Sequence, residues 1–279
     1  MVEQIAYVKG VGQIVETCKN FYDELIEFQD AGARLITPSQ EMKARIRTAG
    51  KEDIGKSYGT WTTTGFQHAK AELPLLKLNS RLLNPELARQ AVEANKGRKY
   101  FSTQSTKEYE QSLAQAEKEK DREPWKKQIL VLASRDNFDI TPEENFEVLQ
   151  FLARNPKLAD DYYEFNGSQP IMTYLVDKNT VDAQDGTLET QLWFGRLDYG
   201  SGFSGGGGLY YDNNARGVLK SSAKPTRAEE LSSIHQVKLP HTPKGAKQEY
   251  NLVRRVINEN LGIKELKPVK KLLERLIGE

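Results

Sequence analysis

Short apolar segments of two different periods recur along most of this chain, and this mixture constrains the fold more than any other feature. Some segments have the 3.6-residue spacing of helices and others resemble strands, while no window approaches the roughly 18 to 20 apolar residues of a membrane span. The sequence predicts an α+β protein with N-terminal helices, a central mixed β-sheet over about 126–220 with helices, and a C-terminal helical pair. We expect three regions, 1–124, 125–222 and 223–279, which could also form one compact domain.

Three residue pairs are typical of helix starts. Thr37–Pro38, Asn84–Pro85 and Thr141–Pro142 each place a capping side chain before a proline, which fits the first helical turn. Glu144 would complete a capping box after Thr141. Apolar stripes predict further helices, over 13–28, 105–121 and 156–165.

Cys18 is the only cysteine and lies in the apolar stripe predicted for 13–28. With no histidine nearby, we expect a buried structural thiol rather than a reactive one. A single cysteine forbids an intrachain disulfide and indicates a reducing compartment. Since the N-terminus also lacks the pattern of a secretory signal, the sequence predicts a cytoplasmic location.

The continuous apolar run Gln128–Ala133 is typical of a central strand covered on both faces. Two later strands are expected over 171–176 and 188–197, and a hairpin is expected to join 208–211 to 216–219. The segment Lys56–Lys70 interleaves aromatic, hydroxyl and basic residues. It could stack on single-stranded nucleic acid, but its alternation favours a half-buried strand.

Charge is placed unevenly, although Lys and Arg total 40 and Asp and Glu total 39. Residues 201–279 hold 14 basic and 8 acidic residues, a net of +6, whereas 1–200 are net acidic. This predicts an anionic partner, nucleic acid above all, although solvated helix faces explain the charges too. The candidate basic face comprises Arg254, Arg255, Lys264, Lys267, Lys270 and Lys271.

A glycine-rich segment, 199–208, contains six of the 21 glycines. Such backbone can approach a phosphate closely, but no Lys-Ser or Lys-Thr follows as in a Walker loop, so a connection without a ligand is the alternative. A further candidate follows the strand at 128–133, at the edge where open α/β sheets bind ligands. The candidate ligand contacts are Arg196, Gly202, Gly205, Gly206, Arg216 and Arg135.

Asp177, Glu189 and Gln191 fit a looser pattern, in which acidic residues on neighbouring strands bind Mg²⁺ for phosphodiester cleavage. Asp185 could replace Asp177. The three histidines, His68, His235 and His241, form no pair at metal-ligand spacing. We therefore expect no metal or cofactor, except Mg²⁺ under the nuclease hypothesis.

Three functions follow from these patterns. The first is a soluble intracellular binding protein that contacts nucleic acid or another anionic partner through the basic face and the glycine-rich segment. The second is a Mg²⁺-dependent nuclease, and the third is a structural or protein-interaction module. The patterns leave open whether the chain is an enzyme and how many copies associate.

Overall fold

The computed structural model describes residues 2–49, 54, 59–94, 101–104, 106–183, 186–195, 202–205, 209 and 213–219. The chain divides into two units, Met1–Ser222 and Ala223–Glu279. The predicted C-terminal helical pair and its six basic residues lie outside the described residues. The described residues all belong to the first unit.

The described part of the chain contains seven α-helices, twelve strands and two 3-10 helices, Arg81–Leu83 and Pro124–Lys126. The helices are α1 (Phe21–Asp30), α2 (Pro38–Thr48), α3 (Pro85–Ala94), α4 (Thr106–Lys118), α5 (Phe146–Ala153), α6 (Pro156–Phe165) and α7 (Lys178–Asp182). The strands are β1 (Glu3–Val8), β2 (Gly12–Lys19), β3 (Ala33–Leu35), β4 (Thr60–Ala69), β5 (Leu75–Lys77), β6 (Phe101–Gln104), β7 (Ile129–Val131), β8 (Phe138–Ile140), β9 (Ile171–Tyr174), β10 (Thr187–Phe194), β11 (Gly202–Ser204) and β12 (Asn213–Leu219).

All twelve strands belong to one mixed sheet, which confirms the predicted α+β class. The main path runs β1-β2-β12-β4-β10-β11-β9-β8, with β3 beside β12, β5 beside β4, β6 beside β10 and β7 beside β5. The pairs β9–β11 and β4–β12 are parallel and the others antiparallel. The sheet draws strands from residue 3 onward and not only from 126–220, and six of its strands lie in the region 1–124.

Side chains of the central strand β10 alternate between the two faces of the sheet, as the pleat requires. Phe194 packs in the largest apolar cluster, with residues of α2, α5 and α6. Trp193 packs on the opposite face against residues of α1 and α3. We call these the Phe194 face and the Trp193 face. Helix α4 covers the Trp193 face, because its Tyr109 packs with Ala69, which pairs with Thr187 of β10.

Two of the three predicted helix starts are confirmed. Thr37 and Gln40 form a reciprocal capping box at α2, and the Asn84 side chain accepts from the backbone of Glu86 and Leu87 at α3. The third is wrong, because Thr141 and Glu144 close a turn through backbone bonds in both directions. Helix α5 starts only at Phe146.

The helix predicted over 13–28 is also wrong in its first half. Residues 12–19 form β2, and Asn20 then caps α1 by accepting from the Asp23 amide at 3.1 Å. Neighbouring β-branched residues Ile14 and Val15 suit a strand better than a helix. Cys18 consequently lies on a strand, where it is exposed rather than buried.

The strand predicted at 128–133 exists, but it is not central. β7 pairs with β5 alone among the described strands, and Val131 is 38% exposed. The segment 60–69, by contrast, is a central strand with nine of its ten residues buried. Of the predicted hairpin, most of 208–211 lies outside the described residues, and β12 pairs with β2, β3 and β4.

Candidate functional site

The connection from β10 to β11 is closed by main-chain bonds. Phe194 and Phe203 are paired, and the Gly195 amide donates to the Gly202 carbonyl at 2.8 Å. The six residues between, 196–201, thus begin and end at adjacent points of the sheet. Arg196 lies in this segment, outside the described residues.

A buried arginine from α2 holds the first end of this connection. Arg45 donates to the Gly195 carbonyl at 2.9 Å, and its guanidinium lies 5.4 Å from the centre of the Phe194 ring. Its side chain is 1% exposed, and Glu41 accepts from its Nε at 2.7 Å. Burial opposes the charge, but Tyr162 and Glu41 raise the pKa of Arg45 above its ordinary value. The anchor therefore remains charged.

The connection from β11 to β12 is fixed in the same manner. At its start, the Gly205 amide donates to the Tyr174 carbonyl at 2.8 Å. Further on, the Leu209 carbonyl accepts from the Phe21 amide at 2.9 Å, and β12 then begins at Asn213 opposite Lys19. Residues 206–212 thus connect two sheet strands and touch the scaffold at Leu209.

The predicted ligand glycines Gly202 and Gly205 have a packing reason instead. Both are buried within or next to β11. A Cβ atom at Gly205 would lie 2.6 Å from the Phe66 ring, and one at Gly202 would lie 3.0 Å from the Met172 carbonyl oxygen. Only glycine fits at Gly205 without displacing its neighbours. Gly206 lies outside the described residues.

Arg216, predicted to flank the glycine-rich segment as a ligand contact, is fully buried in β12. Its guanidinium donates to Glu41 at 2.6 Å, to Glu16 at 3.2 Å and to the Ile54 carbonyl. Burial opposes ionisation of Glu41, but Arg216 and Arg45 hold the pKa of that carboxyl below its usual range. This network, which we call the Glu41 network, joins α2 to β2, β10 and β12.

The candidate nuclease residues are divided between the two faces of the sheet. Asp177 caps α7, accepting from the Thr180 amide at 3.1 Å, and α7 packs through Val181 on Leu188. Glu189 follows Leu188 and therefore points to the opposite face. Asp177 and Glu189 do not converge. Asp185 lies outside the described residues.

Glu189 and Gln191 have structural partners of their own. Glu189 accepts from the Ser80 hydroxyl at 3.0 Å and from the Arg81 amide at 3.1 Å, and burial raises the pKa of its carboxyl. Gln191 donates to the Thr62 and Thr64 carbonyls, at the register shift between β4 and β10. The described residues contain no group of three or more His, Cys, Asp or Glu side chains that could hold a metal ion.

Arg135 follows β7, as predicted, and forms an ion pair at 2.5 Å with Asp182 of α7. A helix starting at Thr141 would have offered free backbone amides to an anion at this edge, but α5 starts only at Phe146. The remaining candidates, Arg254, Arg255, Lys264, Lys267, Lys270 and Lys271, fall outside the described residues.

The sequence did not point to Glu41 or Arg45, which hold the best-defined polar contacts near the two connections. Their i, i+4 spacing on α2 was the available signal, but it is equally typical of an exposed helical pair. None of the helices that the structure describes combines the length and the apolar character needed to traverse a bilayer.

No protein-family model matches the chain, and no curated protein matches it. A solved structure described by the words "Accommodation of massive sequence variation in Nanoarchaeota by the C-type lectin fold" is similar to it, with a TM-score of 0.54 and 19% identity. The match covers 76% of this chain and 99% of that chain. At this identity the likeness concerns the fold alone. The chain is thus an α+β protein whose fold is similar to the C-type lectin fold.

Proposed function

We propose that this chain is a noncatalytic binding protein that contacts its ligand through residues 196–201 and 206–212. The observation that carries the proposal is the fixing of both connections: each leaves and re-enters the sheet at a main-chain hydrogen bond, and the buried Arg45 holds the first. A rigid scaffold that positions connecting segments is the usual way in which binding residues are presented.

The composition of the two connections supports this role. They contain three tyrosines, four glycines, a serine, two aspartates and an arginine among thirteen residues. Tyrosine, serine and glycine also dominate antibody binding loops, because tyrosine offers a large amphipathic surface with little side-chain entropy to lose. The connections carry no cluster of carboxylates or histidines that would indicate chemistry.

The similar solved structure supports the same separation between a buried frame and connections that bind the ligand. Its description reports that the C-type lectin fold accommodates massive sequence variation. In this chain the Glu41 network and the β10–β11 pairing form a buried frame. The two connections can then vary in sequence without disturbing the core, and we infer that they carry the specificity of binding.

The test compares the full chain with a variant in which Tyr199, Tyr210 and Tyr211 are changed to Ser. Each protein is immobilised and panned with a phage-displayed library of random peptides. We expect peptides enriched on the wild type to bind the triple variant at least about tenfold more weakly, since tyrosines are frequent hot spots. Tyr7→Ser, at an exposed tyrosine of the edge strand β1, is the matched control.

Equal enrichment on the wild type and the triple variant, with thermal unfolding unchanged, would contradict the proposal. Loss of peptide enrichment on the Tyr7→Ser variant as well would mean that the peptides do not bind specifically through the two connections.

Nucleic acid as the partner is a second proposal, which rests on the net charge of +6 in residues 201–279. The two connections do not favour it by themselves, because Asp198 and Asp212 outnumber Arg196. The residues that test it are the basic side chains after Ser222.

A further inference from the structure

Strand β7 offers unpaired main-chain groups at an edge of the sheet. Leu132 donates to the Pro74 carbonyl and Leu78 to the Gln128 carbonyl, so in this antiparallel pair Val131 and Ile129 direct their backbone groups away from β5. The Ile129 amide donates to Glu119 at 3.4 Å. No described residue bonds to the amide or carbonyl of Val131, or to the carbonyl of Ile129.

An apolar groove lies beside this edge, between β7 and α4. Its volume is about 580 Å³, and its apolar lining includes Leu113, Ala114, Ile129 and Val131. Leu113 and Val131 are each 38% exposed, which places them among the five most exposed large apolar side chains of the described residues. An edge with free backbone groups and an apolar flank is the usual template for pairing with another strand.

The charges along the groove differ between its two ends. The Tyr109 hydroxyl, near the start of α4, donates to the Leu73 carbonyl, which lies beyond the Val131 end of β7 because Leu75 pairs with Val131. Glu119, just after α4, accepts from the Gln128 amide at the other end. Helix α4 and strand β7 therefore run in opposite directions. Glu110 therefore lies towards the Val131 end. Glu117, Lys120 and Lys127 line the Ile129 end, where Lys120 forms an ion pair with Glu117 at 2.6 Å. Lys127 gives that end a net positive charge, so the groove is acidic at one end and basic at the other.

We propose that β7 binds an extended peptide segment of a partner protein, which pairs antiparallel with Val131 and places alternate apolar side chains in the groove. The Val131 amide and carbonyl would bond to one peptide residue directly opposite. Side chains opposite Val131 and Ile129 point to the Trp193 face, under α4. The end charges select a segment with a basic residue before the apolar pair and an acidic residue after it.

The probe is the acetylated and amidated peptide Lys-Thr-Val-Thr-Val-Thr-Glu, with its valines opposite Val131 and Ile129. Titration into the ¹⁵N-labelled full chain should give saturable shifts of the Val131 amide, larger than those of any β1 amide. A peptide in which the terminal Lys and Glu change places should bind several-fold more weakly at low salt. The difference in affinity between the two peptides should fade as added salt screens the charges.

Methylation of single peptide nitrogens tests the pairing without changing the protein. A methyl on the first valine removes the bond to the Val131 carbonyl, so the dissociation constant should rise about tenfold or more. A methyl on the central threonine, whose N–H points away from β7, should change it by less than about twofold. Leu113→Glu should abolish binding, and Tyr7→Glu, on the edge strand β1, should leave it unchanged.

Three results would overturn the proposal. The first is no saturable binding at millimolar peptide, and the second is equal weakening by both methylated peptides. The third is a dimer in light scattering that Val131→Pro converts to a monomer, because the edge would then be occupied by a second copy of the chain. Val131→Pro removes no β5–β7 hydrogen bond, since that amide points outward.

Discussion

His68 is a buried base in β4 whose protonation the fold opposes. The side chain is 2% exposed and stacks on Phe66, with ring centres 6.0 Å apart. Burial, helped by the charge of Arg135, lowers the pKa of His68 to about 3. The folded state therefore favours the neutral imidazole.

This pKa predicts a loss of stability in mild acid. The unfolded chain binds a proton near pH 6.5 and the folded chain does so only near pH 3, so the stabilisation is complete above pH 6.5 and declines as the pH falls. Between about pH 7.5 and pH 5 the free energy of unfolding should fall by about 2 kcal/mol through this group. Urea unfolding at several pH values measures it.

His68→Leu removes the titrating group, so the difference between variant and wild type isolates its contribution. Other titrating groups are retained in both proteins. They include Glu189 and Glu16, whose raised carboxyl pKa values make the fold more stable as the pH falls, which is the opposite of the His68 effect. We expect a flatter profile for the variant over this range. The same slope in both proteins would show that the pKa of His68 does not differ between the folded and the unfolded chain, against the lowered value expected from its burial.

Helix α2 is the element that the Glu41 network fixes to the sheet. Glu41 is fully buried and forms ion pairs with two guanidiniums, that of Arg45 at 2.7 Å and that of Arg216 at 2.6 Å. Glu41→Gln keeps the shape but removes the charge that both arginines share. Because two buried cations would then lose their common partner, unfolding should become easier by about 3–5 kcal/mol, measured by urea unfolding at pH 7.

The matched control is Asp161→Asn in α6. Asp161 forms an exposed i, i+4 pair with Lys157 at 2.8 Å, and solvent screening leaves such a pair with little effect on stability. Similar losses of unfolding free energy in the two variants would mean that the Glu41 network does not fix α2 to the sheet. A large loss confined to Glu41→Gln would support its role in holding Gly195 through Arg45.

The elements that the sequence predicted correctly have local causes. Thr37 and Asn84 mark α2 and α3 because their caps act within three residues. Thr141 carries the same signal, yet there the backbone closes a turn and α5 starts at Phe146. Only the contacts of α5 with the distant core could decide that difference, and they are not visible in the local pattern.

The polar residues were harder to place than the elements. Glu189 and Gln191 were correctly put on a strand, but their partners Ser80, Arg81 and Thr64 are more than 100 residues away in the chain. Arg216 illustrates the same difficulty, since its partner Glu41 is 175 residues distant. In the sequence, a charged residue close to glycines favours a ligand site. In the fold, Arg216 is buried and has internal partners instead.

Within the first unit, the buried charges and the candidate surfaces are distinct, and Arg45 links the buried charges to the start of the first connection. The Glu41 network lies inside the first unit, the two connections leave the sheet after β10 and β11, and the β7 groove lies beside α4. The remaining excess of positive charge belongs to the chain after Ser222, which forms its own unit. We therefore expect nucleic-acid binding to depend on that unit's residues.

The prediction is that the full chain binds a single-stranded 20-mer with an affinity that falls steeply with salt, since each phosphate contact contributes a slope of about −0.7 in the logarithmic plot. Alanine at Arg254, Arg255, Lys264, Lys267, Lys270 and Lys271 should flatten that slope and weaken binding at least about tenfold, measured by fluorescence anisotropy. The control changes six exposed lysines of the first unit, Lys70, Lys107, Lys118, Lys126, Lys157 and Lys178. Both variants lose the same formal charge, so a general effect of net charge would weaken them equally. An equal loss, or binding that does not respond to salt, would remove nucleic acid as the partner and leave the tyrosine-rich connections as the binding residues.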